Sequence, residues 1–286
     1  MTTSTTGFDL IAYMKARAQE VDQALDEFLP QRGPYMGKIG EAMRYSLFPG
    51  GKRFRPVLCL AAAEALGAER KVAMPAACAF EMIHCFSLVH DDLPCMDDDD
   101  VRRGKPSCHK AYGEAMALLA GDGLNTWAFH VASQSPAPAE ASLRVVRELA
   151  EATGHPGMIG GQVIDLDGQH GSVDGPQLLA IHRAKTGALI RGAVRCGAIL
   201  GGADEARLEA LTGYGERVGL VFQITDDILD AADDPEPVSF PALFGLDESH
   251  RMAREATMEA VALLEPFGAR AEPLASLALY LLDRKT

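Results

Sequence analysis

A chain of 286 residues, 48% hydrophobic and 23% charged, is long enough to bury a large core and lies outside the compositions of disordered and fibrous proteins. A formal charge of −13 argues against a nucleic-acid partner, because phosphate backbones call for a basic face. Only 6% of residues are aromatic, while Ala and Leu are abundant, which favours helix over sheet.

The first residues, MTTSTTGFDL, hold no basic stretch followed by an apolar one, so no signal peptide is expected and the default location is cytoplasmic. No uncharged apolar run reaches about 18 residues, so no membrane span is expected. The six cysteines form no C-x-x-C pair and read as buried thiols in a reducing compartment. Helical periodicity predicts helices over 8–29, 35–47, 54–67, 73–93, 111–134, 139–153, 174–200, 203–230, 246–265 and 271–283. The expected fold is all-α, a single domain over 1–286 made of one bundle of about ten helices. Phe80, Ile83, Leu220, Phe222 and Ile228 are expected in its core.

Between the second and third predicted helices, Gly50-Gly51-Lys52-Arg53-Phe54-Arg55-Pro56 sets three cations beside a Gly-Gly turn. Glycine lets backbone approach an anion, and arginine offers phosphate a two-pronged donor; a solvated basic loop reads the same way. The helix over 73–93 is largely apolar and ends in the densest chemistry of the chain, Asp91-Asp92-Leu93-Pro94-Cys95-Met96-Asp97-Asp98-Asp99-Asp100. Six carboxylates in ten residues repel one another. At about 4 Å and an effective dielectric of about 20, each like-charged pair costs roughly 4 kcal/mol. Unless this is a solvated acidic turn, a hard divalent cation is the natural counter-charge. His84 lies seven residues before Asp91, near the same helix face, and Arg102 and Arg103 follow the cluster directly.

Further along, Lys185-Thr186-Gly187 interrupts a helical stretch and reads as a functional kink or a plain break. The helix over 203–230 closes with Gln223-Ile224-Thr225-Asp226-Asp227-Ile228-Leu229-Asp230, where Asp226 and Asp230 share a face one turn beyond Gln223. Two carboxylate sets, each ending an apolar helix, together with a basic set, suggest two anionic subsites, one metal-bridged and one held by Lys, Arg and His. That combination suits an enzyme acting on two diphosphates.

These residues resemble the trans-polyprenyl diphosphate synthase family. The segments GGKRFRP, HDDLPCMDDDDVRRGKPSCHKAYGE, LAGDGL, GGQVIDL, AKTGALI and FQITDDILD occur in the family's order and spacing. The resemblance implies an all-α bundle around a central cavity, usually a homodimer, with Mg²⁺ as cofactor, three ions when substrate is bound. It implies that Asp91, Asp97 and Asp226 bind metal, with Asp92, Asp227 and Asp230 in support. Arg102, Lys185, Thr186 and Gln223 are implied to contact the allylic diphosphate, and Lys52, Arg55, His84 and Arg103 isopentenyl diphosphate. Asp91, Asp92, Asp97, Arg102, Lys185, Asp226 and Asp227 make up the implied catalytic set. Phe86 and Ser87, ahead of the first motif, with the extra Pro94-Cys95 inside it, imply a short product, C15 or next C20.

The chain departs from the family after Asp230. It reads Ala231-Ala232-Asp233-Asp234-Pro235-Glu236-Pro237-Val238-Ser239-Phe240-Pro241, without the lysines that the family carries there. A shortened but working enzyme, a loop missing from the sequence, and a non-catalytic diphosphate-binding or partner subunit are the three readings. A terpene cyclase of the same fold is a further alternative, although Asp226, Asp230 and Asp234 fit chain elongation better.

Overall fold

The computed structural model describes residues 7–30, 37–48, 50–168, 173–233 and 238–284. Fourteen α-helices are present among them: α1 (Leu10–Phe28), α2 (Gly37–Leu47), α3 (Phe54–Ala65), α4 (Arg70–Asp91), α5 (Cys108–Tyr112), α6 (Glu114–Ala132), α7 (Ala139–Thr153), α8 (Met158–Gly168), α9 (Gly175–His182), α10 (Ala188–Leu200), α11 (Glu205–Asp233), α12 (Phe240–Phe244), α13 (Leu246–Ala262) and α14 (Glu272–Asp283). Among the described residues the sheet is confined to one short antiparallel hairpin, β1 (Val101–Arg102) and β2 (Lys105–Pro106).

The helices divide by burial. α3 is buried at every residue except Glu64, and α10 and most of α4 are likewise enclosed. Such helices are apolar all round and form the centre of the bundle. Within α4, Arg70–Asp91, an 18-residue window is long and apolar enough to cross a bilayer although Glu81 keeps it from being uncharged; 72% of it is buried inside the protein, as in a core helix. α7 and α13 are amphipathic and lie outside. Phe80 and Ile83 are fully buried, whereas Leu220, Phe222 and Ile228 pack only partly buried at the core's edge. Cys95 is exposed and the other five thiols are buried, so one cysteine departs from expectation.

Local chemistry explains the boundaries. Asp9 caps α1 by accepting from Ala12 N, and Asp174 with Gln177 forms a reciprocal capping box at the start of α9. Gly113 at φ 86° separates α5 from α6, where the periodicity predicts a single helix. The helix expected over 174–200 is α9 and α10 joined by a five-residue π-helical turn, Arg183–Gly187. α8 falls outside the predicted helices: its Gly-Gly pair and β-branched residues weaken any helical signal.

Candidate active site

The end of α4 delivers Asp91, and the chain then turns back on it. Met96 N donates to Leu93 O (2.8 Å) and Asp97 N to Asp91 O (2.9 Å). Pro94 and Cys95 loop out into solvent, so the two extra residues leave Asp97 beside Asp91. Burial pushes the Asp91 carboxyl up to about 6; Lys185 opposes the shift and Asp97 adds to it. Asp97 is also raised, first by burial. Asp92 behaves differently. It is buried and accepts from Arg102 at 2.8 and 2.5 Å, and Arg102 reaches Asp99 as well (2.7 Å). The pair secures the turn, with Asp92 facing Arg102.

The opposite wall is α8 and the π-helical turn. They approach so closely that a Cβ on Gly161 would stand 2.3 Å from Lys185 N, and one on Gly219 of α11 would stand 2.9 Å from Gly187 Cα. Glycine at both positions lets three backbones converge, and the wide turn aims Lys185 and Thr186 inward. Lys185 Nζ is held at 2.5 Å by Asp165 of α8. Between the walls lies a cavity of about 410 Å³. Asp91, Arg55, His84, Lys185 and Thr186 line it, with Phe86, Ser87 and apolar side chains such as Met158 and Val163.

The basic set is sorted by burial. Arg53 is structural: it bonds Glu81 (2.7 Å), Asp22 (2.8 Å) and Leu47 O (2.7 Å). Arg55 is buried and stands 6.0 Å from the Phe222 ring of α11; burial lowers its pKa, against the pull of Glu81 and Asp226. His84 is held well below its ordinary value by burial and by four arginines, Arg55 foremost, so it is neutral. Arg103 donates to Gly50 O, which folds the post-motif hairpin onto the Gly-Gly turn. Lys52 is exposed beside it.

On α11, burial raises Asp226 while Arg284 opposes the shift. Arg284 pairs with Asp226 and stacks 4.6 Å over Phe222. Asp226 is not among the residues that line the cavity, but its charge acts on Arg55, which does. Asp227 points elsewhere: it accepts from Phe240 N (2.8 Å) and stands 3.4 Å from His182 Nε2, which fastens α12 after the shortened loop. The structure gives this supporting member of the second motif an anchoring contact. Gln223 is half-buried and outside the cavity lining, and Asp230 is exposed. Residues 234–237 of the shortened stretch lie outside the described residues.

Asp165, Gln162, His90 and Arg284 are site residues that the sequence alone does not single out. Asp165 and Gln162 sit in GGQVIDL, where a carboxylate one turn past a Gly-Gly pair is the available signal. The donor set fits magnesium: Asp91, Asp97 and Asp226 offer only hard oxygens, and all three are raised first by burial, a cost that a bound cation would offset.

The Polyprenyl synthetase family model matches residues 37–242. The chain is 44% identical to a chloroplastic geranylgeranyl pyrophosphate synthase of Catharanthus roseus, over 98% of this chain and 83% of the relative. It is 43% identical to a dimethylallyltranstransferase of Fischerella ambigua, over 97% and 84%. Among solved structures it is similar to an FPP/GFPP synthase from Zymomonas mobilis, with a TM-score of 0.90 and 38% identity over 96% of this chain and 98% of that one. A geranyltransferase from Legionella pneumophila gives a TM-score of 0.89 and 36% identity, over 96% and 97%. The two aspartate motifs, the lysine on its π-helical turn and the cavity lined by Asp91 and Lys185 thus stand in a chain that belongs to the polyprenyl synthetase family, the head-to-tail prenyltransferases.

Proposed function

We propose that this prenyltransferase condenses isopentenyl diphosphate with an allylic diphosphate and releases a short prenyl diphosphate, C15 with C20 next. The observation that carries the reading is a single cavity lined by Asp91, Lys185, Arg55 and His84 together with apolar side chains. Charged groups there suit the diphosphates, and the greasy lining suits the growing tail and keeps water from a carbocation.

Asp91, Asp97 and Asp226 are the residues to hold Mg²⁺, and the ions supply Lewis-acid neutralisation of the leaving diphosphate. Lys185 and Thr186 meet the same diphosphate from the opposite wall. As the allylic C–O bond breaks, its electron pair leaves with pyrophosphate, and the Lys185 charge becomes more favourable. Arg55, Arg103 and Lys52 bind isopentenyl diphosphate, and neutral His84 adds a hydrogen-bond donor without adding charge. The isopentenyl double bond then forms the new C–C bond. Loss of a proton to pyrophosphate regenerates an alkene, so charge and atoms balance.

Phe86 is 6% exposed, lines the cavity and meets the His90 ring edge-on at 5.0 Å. It is the proposed stop for the tail, with Ser87 one turn below Asp91. Products from purified protein, Mg²⁺, isopentenyl diphosphate and geranyl diphosphate test the reading. Linear C15 and C20 diphosphates are expected; cyclic hydrocarbons or no turnover would refute it. Phe86→Ala should move the distribution to longer chains, and an unchanged distribution would remove Phe86 as the floor. A homodimer is the proposed assembly: Leu118 and Leu119 of α6 are exposed apolar side chains.

A further inference from the structure

Past the first aspartate motif, a second group of ligand-type side chains converges. Asp98 and Asp100 lie on the turn leaving the motif and His109 in the first turn of α5, with one ligand atom of each within 4.8 Å of the others. Exposed carboxylates alone would carry nothing, since they cluster on many surfaces without an ion. His109 is the distinguishing member. It is 6% exposed, its Nδ1 lies 3.0 Å from Ser107 Oγ, and its Nε2 is sealed from solvent with no hydrogen-bond partner among the described residues. A buried polar atom left unpaired calls for an explanation.

Asp98 Oδ1 stands 3.9 Å from that nitrogen. This is too long for a hydrogen bond but within the span of two ligands on one ion, at most twice a metal–ligand bond of about 2.0–2.2 Å. With Nδ1–H donating to Ser107, Nε2 presents its lone pair towards the carboxylates, the arrangement by which an outer hydrogen bond orients a ligating imidazole. Lys110 Nζ takes one oxygen of Asp100 at 2.7 Å and leaves the second free. The backbone draws the same residues together, because Ser107 N donates to Asp100 O (2.9 Å) and closes the base of the β1–β2 hairpin.

We propose that Asp98, Asp100 and His109 bind one divalent first-row transition ion of the Zn²⁺ or Mn²⁺ class, at a site separate from the catalytic carboxylates. Imidazole with carboxylate suits such ions, whereas Mg²⁺ prefers oxygen ligands and its own waters. The ion staples the turn after Asp97 to α5. It thereby fixes the hairpin that carries Arg102 and Arg103.

The test uses the full chain, stripped with chelator, with excess Mg²⁺ and no diphosphate, so it does not depend on prenyl transfer. Co²⁺ is the probe, followed by calorimetry and visible absorption. One equivalent is expected to bind with a ligand-field band. His109→Ala and Asp98→Asn should abolish it, Ser107→Ala should weaken it about 10–100-fold, and Asp91→Asn should leave it intact. The proposal is overturned if the unaltered protein takes up no Co²⁺, as expected were His109 merely a protonated partner of Asp98. It is equally overturned if His109→Ala and Asp98→Asn bind like the parent, or if Asp91→Asn removes the site. Circular dichroism checks folding; should His109→Ala unfold, Asp98→Asn, a change at an exposed position, decides between these outcomes.

Discussion

Asp91 shows what burial does to a metal ligand. Its folded pKa of about 6 lies above the ordinary 3.8, so ionising it works against the fold. The cost is absent below about pH 4, grows as pH rises towards 6 and is complete above that. In chelated protein, Asp91→Asn should therefore be more stable at pH 7–8 by about 1–3 kcal/mol and no more stable at pH 4, measured by urea unfolding. Equal gains at both pH values would mean that packing, not charge, is responsible. Conversely, Mg²⁺ must displace a proton below pH 6, so its apparent affinity should fall there. Lys185→Ala removes the facing cation and should lower kcat about 10²–10³-fold with an unchanged fold. At this scale the sequence is most legible where charge density itself is abnormal, as in the run from Asp91 to Asp100. It is blind to partners: nothing local tells that Arg102 belongs to Asp92, Asp227 to the Phe240 backbone, or Arg284 to Asp226, since each pairing joins residues that only tertiary packing brings together.

The π-helical turn and α8 act as one element. Lys185-Thr186-Gly187 is readable as an interruption because a Gly and a β-branched Thr break an apolar helical pattern. The shape of the interruption depends on Gly161 and Gly219, on two other helices. Gly161→Ala separates the two effects of this packing. Alanine improves helix propensity by about 1 kcal/mol, whereas relieving a backbone contact of 2.3 Å costs about 1–3 kcal/mol, so stability should fall by at most about 2 kcal/mol. Lys185 must shift, however, and a displacement of about 1 Å can cost about 10²-fold in rate. The expected result is a Tm within several degrees of the parent and kcat down at least about tenfold; full activity would show that the close approach is incidental. α8 itself is illegible, because GGQVIDL pairs poor helix formers with a stretch held helical by contacts with the turn.

At the scale of the whole molecule, one large hydrophobic core runs from α1 to α14. It is built of apolar side chains, so chelation should stop turnover without unfolding the protein. Mg²⁺ together with pyrophosphate should raise Tm, since a ligand at 100 times its Kd stabilises by about 2.7 kcal/mol. A Tm indifferent to both would place the diphosphate elsewhere. The all-α class follows from helix period and composition, which survive any tertiary arrangement; the count of helices does not, because Gly113 and the π-helical turn divide what periodicity joins. On the proposed function the bundle brings two distant carboxylate motifs to one diphosphate, and their coupling is measurable. Values of kcat for Asp91→Asn, Asp226→Asn and the double variant, at saturating substrates and Mg²⁺, test it most directly. Each single change should cost about 10²–10³-fold, and the double variant should be scarcely slower than either, as for groups that act as a unit. An Asp226→Asn protein with parental kcat, or two losses that simply multiply, would contradict a shared diphosphate site.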